Sequence, residues 1–449
     1  MKHASLFLVL SAIPIVCLGY STADFNRDEI VDLEDYSEFA YQWLQVPESL
    51  PEAQQPVSVA TYVIAANSAL EHVKARADFI CDGTDDQVQI QQAVDAMSSI
   101  GGTIYLTEGE YYISDTITVD KPVFFRGAGV NWHHQGGLTR IYPVNGIDGP
   151  IIDSVGDYYL GGIFDIGFDG YLMTTEVNYP AVFIRATGGD YHIERSGFYY
   201  LKFKYGVEAR CHNVWIYDTC FEEIKHSSEN CYAVRVSAGV RNRIVNCHFR
   251  NNKNCLWFSG SGSEDWISGC DFHDTDQRVL KLATSWGIIS DSFFYRYDDI
   301  AGGCPMIEVI GTYGRWSIHD CEVNAYSDMP ILEVADGGAF SEFIFHNNRI
   351  RNFQGPATDI FSGNIVNPQI KDNPGYVTEN GGGTLVANGD TIAHGLVSTP
   401  VIVNLTVSDA NHIVAVTTKD GTNITVGLKD NAGNSINTLE LVYWYAACQ

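Results

Sequence analysis

Between residues 244 and 350 one short phrase occurs five times: an aliphatic or aromatic residue, two polar or small ones, a small residue, one free position, then a hydrophobe. The copies are Ile244-Val-Asn-Cys247-His-Phe249, Ile267-Ser-Gly-Cys270-Asp-Phe272, Ile289-Ser-Asp-Ser292-Phe-Phe294, Ile318-His-Asp-Cys321-Glu-Val323 and Phe345-His-Asn-Asn348-Arg-Ile350. They start 22 to 29 residues apart, the period of stacked supersecondary units rather than of a helix or hairpin. The last three positions alternate as a strand does, and the two residues before the small one break the alternation as a corner would. Stacked in parallel about 4.8 Å apart, Cys247, Cys270, Ser292, Cys321 and Asn348 form one interior column. Phe249, Phe272, Phe294, Val323 and Ile350 form a second. Looser copies at Ile193 to Phe198, around Cys220 and at Phe361 to Asn364 extend the pattern. The expected fold is all-β, a right-handed parallel β-helix.

The chain has 449 residues, 45% of them hydrophobic, enough for a sizeable core and more than one domain. Its formal net charge of −28 argues against double-stranded nucleic acid or an anionic membrane as a partner. Met1-Lys-His and the apolar run from Leu6 to Leu18 read as a secretory signal over residues 1–23, too short to span a bilayer. A secreted or cell-surface location follows. Export would make eleven cysteines look like a disulfide framework. The register favours buried thiols instead, because Ser and Asn share the column with Cys.

Residues 24–45 begin with Asp24-Phe-Asn26-Arg-Asp28-Glu-Ile30-Val-Asp32-Leu-Glu-Asp35. Oxygen donors at Asp24, Asn26, Asp28, Asp32 and Asp35, with the Ile30 carbonyl, have the spacing of an EF-hand-like Ca2+ loop. The segment resembles half of a dockerin repeat, which would imply a cohesin-like or other surface partner. It departs from that pattern at Glu29, where Gly is usual, and in having no second repeat; an acidic spacer is the alternative. Residues 46–60, rich in Pro, Glu, Gln and Ser, read as a linker.

Thr84 is the expected N-cap of an amphipathic helix, with Gln87 completing a capping box and Ile90, Ala93, Val94 and Met97 as its apolar stripe. One helix ahead of so many strands suits a cap over the open end of the solenoid. The D-G-T-D-D run at residues 82–86, Gly101-Gly-Thr-Ile104-Tyr-Leu106 and Arg126-Gly127-Ala128-Gly129 together resemble the entry module of pectate-lyase-superfamily β-helix proteins. That superfamily includes tailspikes and polygalacturonase-like enzymes. The resemblance implies a β-helix over 61–375, a polysaccharide partner and, by tailspike analogy, a homotrimer. Residues 376–449 change to short β-rich runs and turns, and are similar to small β-sandwich modules that follow β-helices.

A β-helix displays its outward residues as ladders. Asp271 and Glu322 fall two rungs apart, near the upper limit for an inverting glycosidase pair. Lyase chemistry would instead use a base and a cation that neutralises a uronate. Residues 195–253 hold ten Lys or Arg against five Asp or Glu, which could attract an acidic glycan. The candidate catalytic residues are therefore Asp271, Glu322, His248, Arg250 and His273, with Arg243, Lys253, Tyr295 and Arg349 as substrate contacts. Ordinary solvated charge on a sheet face competes with both readings. Family motifs decide neither: Val214-Trp215-Ile216-Tyr-Asp218 resembles a pectate-lyase phrase, but Tyr217 intrudes and no His follows the Asp.

Overall fold

The computed structural model describes residues 60–448 apart from 132–137, 158–159, 186–187, 261–263, 285, 297–303, 327, 354–358, 367, 377–378 and 397. The proposed signal and calcium loop lie outside the described residues. Residues 60–371 carry three parallel sheets of 13, 10 and 11 strands, termed I, II and III. The chain visits them in turn, so each sheet gains one strand per coil. This is a parallel β-helix. Among the described residues no helix is long and apolar enough to cross a membrane.

The repeated phrase is the corner between sheets I and II. Asn246, Gly269, Asp291, Asp320 and Asn347, each just before the column residue, have φ between 50° and 63°. That left-handed conformation suits Gly, Asn and Asp, which explains the polar residues of the phrase. The bend buries peptide groups that no strand pairs, and the column residues satisfy them. The Cys247 thiol donates to Val245 O at 3.3 Å, and the Ser292 hydroxyl to Ser290 O at 2.8 Å. The Asn348 amide donates to Ile318 O at 2.9 Å while its oxygen accepts from Cys321 N at 3.1 Å. Every described cysteine is a free thiol. Cys, Ser and Asn thus share the job of donor to a buried carbonyl.

One turn further in, Phe168, Phe198, Phe221, Phe249, Phe272 and Phe294 stack with centroids 4.8 to 5.0 Å apart. Ring spacing matches strand spacing, so the stack and the ladders reinforce one another.

Two of the looser copies shift. Thr219, not Cys220, takes the column position; Cys220 lies in register with His248 on the outward side. Phe361 pairs with Leu332 in sheet III, and the column runs on instead through Asn373, whose oxygen accepts from Asn348 N at 2.9 Å.

The helix runs from Gln87 to Ala96 and buries Ile90, Ala93 and Val94 against the first coil. Its N-cap is Asp86, not Thr84. Asp86 accepts from Gly83 N at 2.9 Å and from Tyr112 N at 2.8 Å. Gln87 does not close a capping box, but exchanges two hydrogen bonds with Ser114, and Gln91 does the same with Thr118. These side chains stand in for the missing strand at the open edge.

Two three-stranded antiparallel sheets follow, Glu379–Val386, Glu440–Ala447 and Ile402–Val407 in one, Thr391–Ala393, Asn423–Asp430 and His412–Lys419 in the other. Val386, Val442, Ile392, Val426 and Leu428 form the core of this small sandwich.

Removing one ring from the stack, Phe272→Ala, should cost about 3–5 kcal/mol, measured by chemical denaturation. Cys270→Ser should leave the midpoint nearly unchanged, because Ser292 already fills that role one coil on. Burial pushes the Cys321 thiol up to about 12, so column thiols should resist a thiol reagent at mildly alkaline pH until the protein is unfolded.

Candidate functional site

The outward face of sheet II carries two rows of side chains. One reads Cys220, His248, Asp271, Phe293, Glu322, Arg349 in register. The other reads Glu222, Arg250, His273, Tyr295, Asn324, Arg351. Residues 22 to 29 apart in sequence therefore become neighbours about 4.8 Å apart.

Asp271 is the centre of this face. One carboxylate oxygen is 3.2 Å from His248 Nδ1, in the preceding coil, and the other is 3.0 Å from His273 Nε2, two residues along. The His273 ring packs against two aromatic residues of the following coil, Phe293 at 5.4 Å and Tyr295 at 5.1 Å. Arg250, in register with His273, approaches Glu222 at 3.8 Å. Burial alone would raise the Asp271 pKa, but hydrogen bonds from His248 and His273 and their charges outweigh it, bringing it down to about 2. The hydrogen bond to Asp271 raises the His273 pKa against the opposing effect of burial.

The arrangement separates residues that the sequence grouped together. Asp271 and Glu322 are two rungs apart with Phe293 between them, and Glu322 pairs with Arg351 at 3.3 Å. A carboxyl held ionised down to about pH 2 is poorly suited to protonate a leaving group. Lys253 stands off the ladder and donates to His226 O and Ser227 O at 3.1 and 3.0 Å. Arg243 belongs to sheet I, in register with Trp215 and Trp266. Tyr295 and Arg349 do stand on the sheet II face.

Two buried acids of the same face escaped the sequence reading: Asp169 and Glu222, 7% and 6% exposed. Arg140 lies 3.5 Å from Asp169 and donates to the Tyr142 hydroxyl at 2.8 Å. Tyr199 is buried between the rungs of Asp169 and Glu222. The triplets Gly167-Phe-Asp169 and Cys220-Phe-Glu222 carry the out, in, out alternation around an interior Phe that would have found both acids. Sheet III presents another charged ladder, on which two buried glutamates are each paired with two cations. Glu208 meets Arg210 at 2.9 Å and Arg235 at 3.5 Å, and Glu308 meets Arg278 and Lys281 at 3.0 Å each. Among the described residues no group of three or more His, Cys, Asp or Glu is set to hold a metal ion.

No protein-family model matches the chain, and no curated protein matches it in sequence. Among solved structures it is similar to ORF18 of Geobacillus virus E2 at 16% identity and a TM-score of 0.44, over 80% of this chain and 73% of that one. It is similar to a PL6 alginate lyase in complex with a trisaccharide at 10% identity and a TM-score of 0.42, over 70% and 85%. The A-module of an Azotobacter vinelandii mannuronan C-5 epimerase matches at 15% identity and a TM-score of 0.35, over 66% and 94%.

The Asp271 cluster also links stability to pH. A lowered Asp271 pKa stabilises the fold above its ordinary 3.8, and that contribution is lost as pH falls toward about 2. A raised His273 pKa stabilises it below the ordinary 6.5, and that contribution is lost as pH rises through the raised value. The cluster should therefore contribute most between about pH 4 and 6.5, with water screening it because these side chains are about a third exposed. Asp271→Asn should flatten both limbs in thermal melts across pH and lower the His273 pKa read by NMR; an unmoved His273 titration would break the assignment.

Proposed function

We propose that this protein binds an acidic polysaccharide across sheet II and cleaves it by β-elimination. The observation that carries the reading is one carboxylate, Asp271, shared by two imidazoles beside a guanidinium, Arg250. Elimination from a uronate needs the carboxylate neutralised, the C5 proton removed and the leaving oxygen protonated. Arg250 neutralises the uronate, and His248 accepts the C5 proton. The C4–O4 bond then breaks, a C4–C5 double bond forms, and the departing oxygen takes a proton from His273. Asp271 holds both rings in orientation, as a third group does for a catalytic His. Phe293 and Tyr295 offer flat faces for sugar stacking. Hydrolysis by Asp271 and Glu322 has weaker support, given the intervening Phe293 and the ionised Asp271.

Incubation with uronans should produce the ultraviolet absorbance of the new double bond. Reducing ends without that absorbance would convert the reading to hydrolysis, and binding with neither would overturn cleavage. His273→Ala should lower kcat by about 100-fold or more. In Asp271→Asn the alkaline limb of the rate profile should move to lower pH, because the His273 imidazolium loses its partner.

The reading extends to Asp24, Asn26, Asp28, Ile30, Asp32 and Asp35 as a Ca2+ loop. Calorimetry on the full chain should register calcium uptake that Asp28→Ala abolishes; equal uptake by the variant refutes the loop.

A further inference from the structure

Around the corner from Asp271, sheet I carries a cleft of about 430 Å³ lined by Arg241, Arg243, Glu264, Asp265, Trp266 and Trp286. Its volume lies in the range of small-ligand sites. Two of its walls are tryptophans that folding leaves in water, Trp266 at 43% and Trp286 at 36% exposure. Trp215, Arg243 and Trp266 occupy successive rungs, and the Arg243 guanidinium lies 5.5 Å from the Trp215 ring and 5.7 Å from the Trp266 ring.

The charges of the cleft are not equivalent. Arg241 is committed to Glu264, with Nε 2.6 Å from a carboxylate oxygen. Asp265, 1% exposed, accepts from Asn242 Nδ2 at 2.7 Å and forms part of the floor. Arg243 has no carboxylate within 4 Å among the described residues. Two indole faces hold its guanidinium, whose N–H edge is left for a ligand. This differs from sheet III, where Arg185, Arg210 and Arg235 each lie over an aromatic ring and also meet a carboxylate of the chain itself.

We infer that this cleft is a binding site for an acidic sugar, whose carboxylate pairs with Arg243 while its C–H face stacks on Trp266 or Trp286. The groups required are a planar anion and a flat apolar ring face about one sugar apart, which a uronic acid combines and a neutral hexose does not. The site is separate from the Asp271 cluster, so its role is to hold a chain that the other face cleaves, or to hold it with no cleavage at all.

The test uses the full chain carrying Arg250→Ala and Asp271→Asn, so that turnover and the sheet II contact are removed. Trigalacturonate and trimannuronate serve as acidic probes and maltotriose as the neutral one, followed by tryptophan fluorescence and calorimetry. At least one acidic trimer should bind with a stoichiometry of one and quench fluorescence. Trp266→Ala should weaken it about tenfold, and Arg243→Gln should remove the preference over maltotriose. Circular dichroism checks that the variants fold, which the exposure of Trp266 favours. Acidic binding unchanged by both substitutions, no binding by either acidic trimer, or equal binding of maltotriose overturns the site. Cleavage by the unmodified protein is scored separately: loss of cleavage with Trp266-dependent binding retained sinks only the reaction, and the converse sinks only this cleft.

Discussion

Parallel stacking at one strand spacing is the constraint from which everything else in the helix follows. Each coil must place like positions over like, so a residue is judged by what lies above and below it, not by its sequence neighbours. Inside, this rewards identical shapes, and six phenylalanine rings in line at about 5 Å are the result. At the corner it leaves carbonyls of the phrase, in the same coil or the preceding one, without strand partners, and a thiol, hydroxyl or amide of the column meets them. The two ends cannot repeat, and the first is closed by Gln87 and Gln91 imitating strand edges.

Outside the helix the same stacking acts without a packing requirement. Like charges on adjacent rungs repel, and many of the outward carboxylates are met by a cation. Sheet III shows this most fully, with Glu208 and Glu308 each flanked by two cations. Sheet II departs from that economy by spending one carboxylate on two histidines, and sheet I by leaving Arg243 between indoles. Those two departures are the observations on which the proposed chemistry and the proposed binding cleft rest.

The architecture was legible because its signals are local. The period, the in, out, in triplets and the polar corner residues are visible in any one copy and gain weight by repetition. The errors came where a local signal was right but its partner was remote. Thr84 looks like an N-cap, yet Asp86 takes the position, its carboxylate meeting Tyr112 N two strands further on. Cys220 looks like a column cysteine, yet Thr219 is in register. Phe361 imitates the phrase from a different sheet. Arg243 was grouped with His248 by proximity in sequence, although the corner between them turns the two onto different faces.

The amino-acid sequence by itself determined the β-helix, its interior columns, the reduced state of its described cysteines and the ladder on which Asp271 would sit. Burial and backbone geometry impose those choices on every coil, so the pattern is written many times. Only the tertiary structure decided that Asp271 bridges two imidazoles, that Phe293 separates it from Glu322, that Asp169 and Glu222 are buried, and that Arg243 lies between two tryptophans. Outward positions obey no shared packing rule. What each one does depends on the rotamer and charge of a residue one coil away, and that information exists only once the coils are stacked.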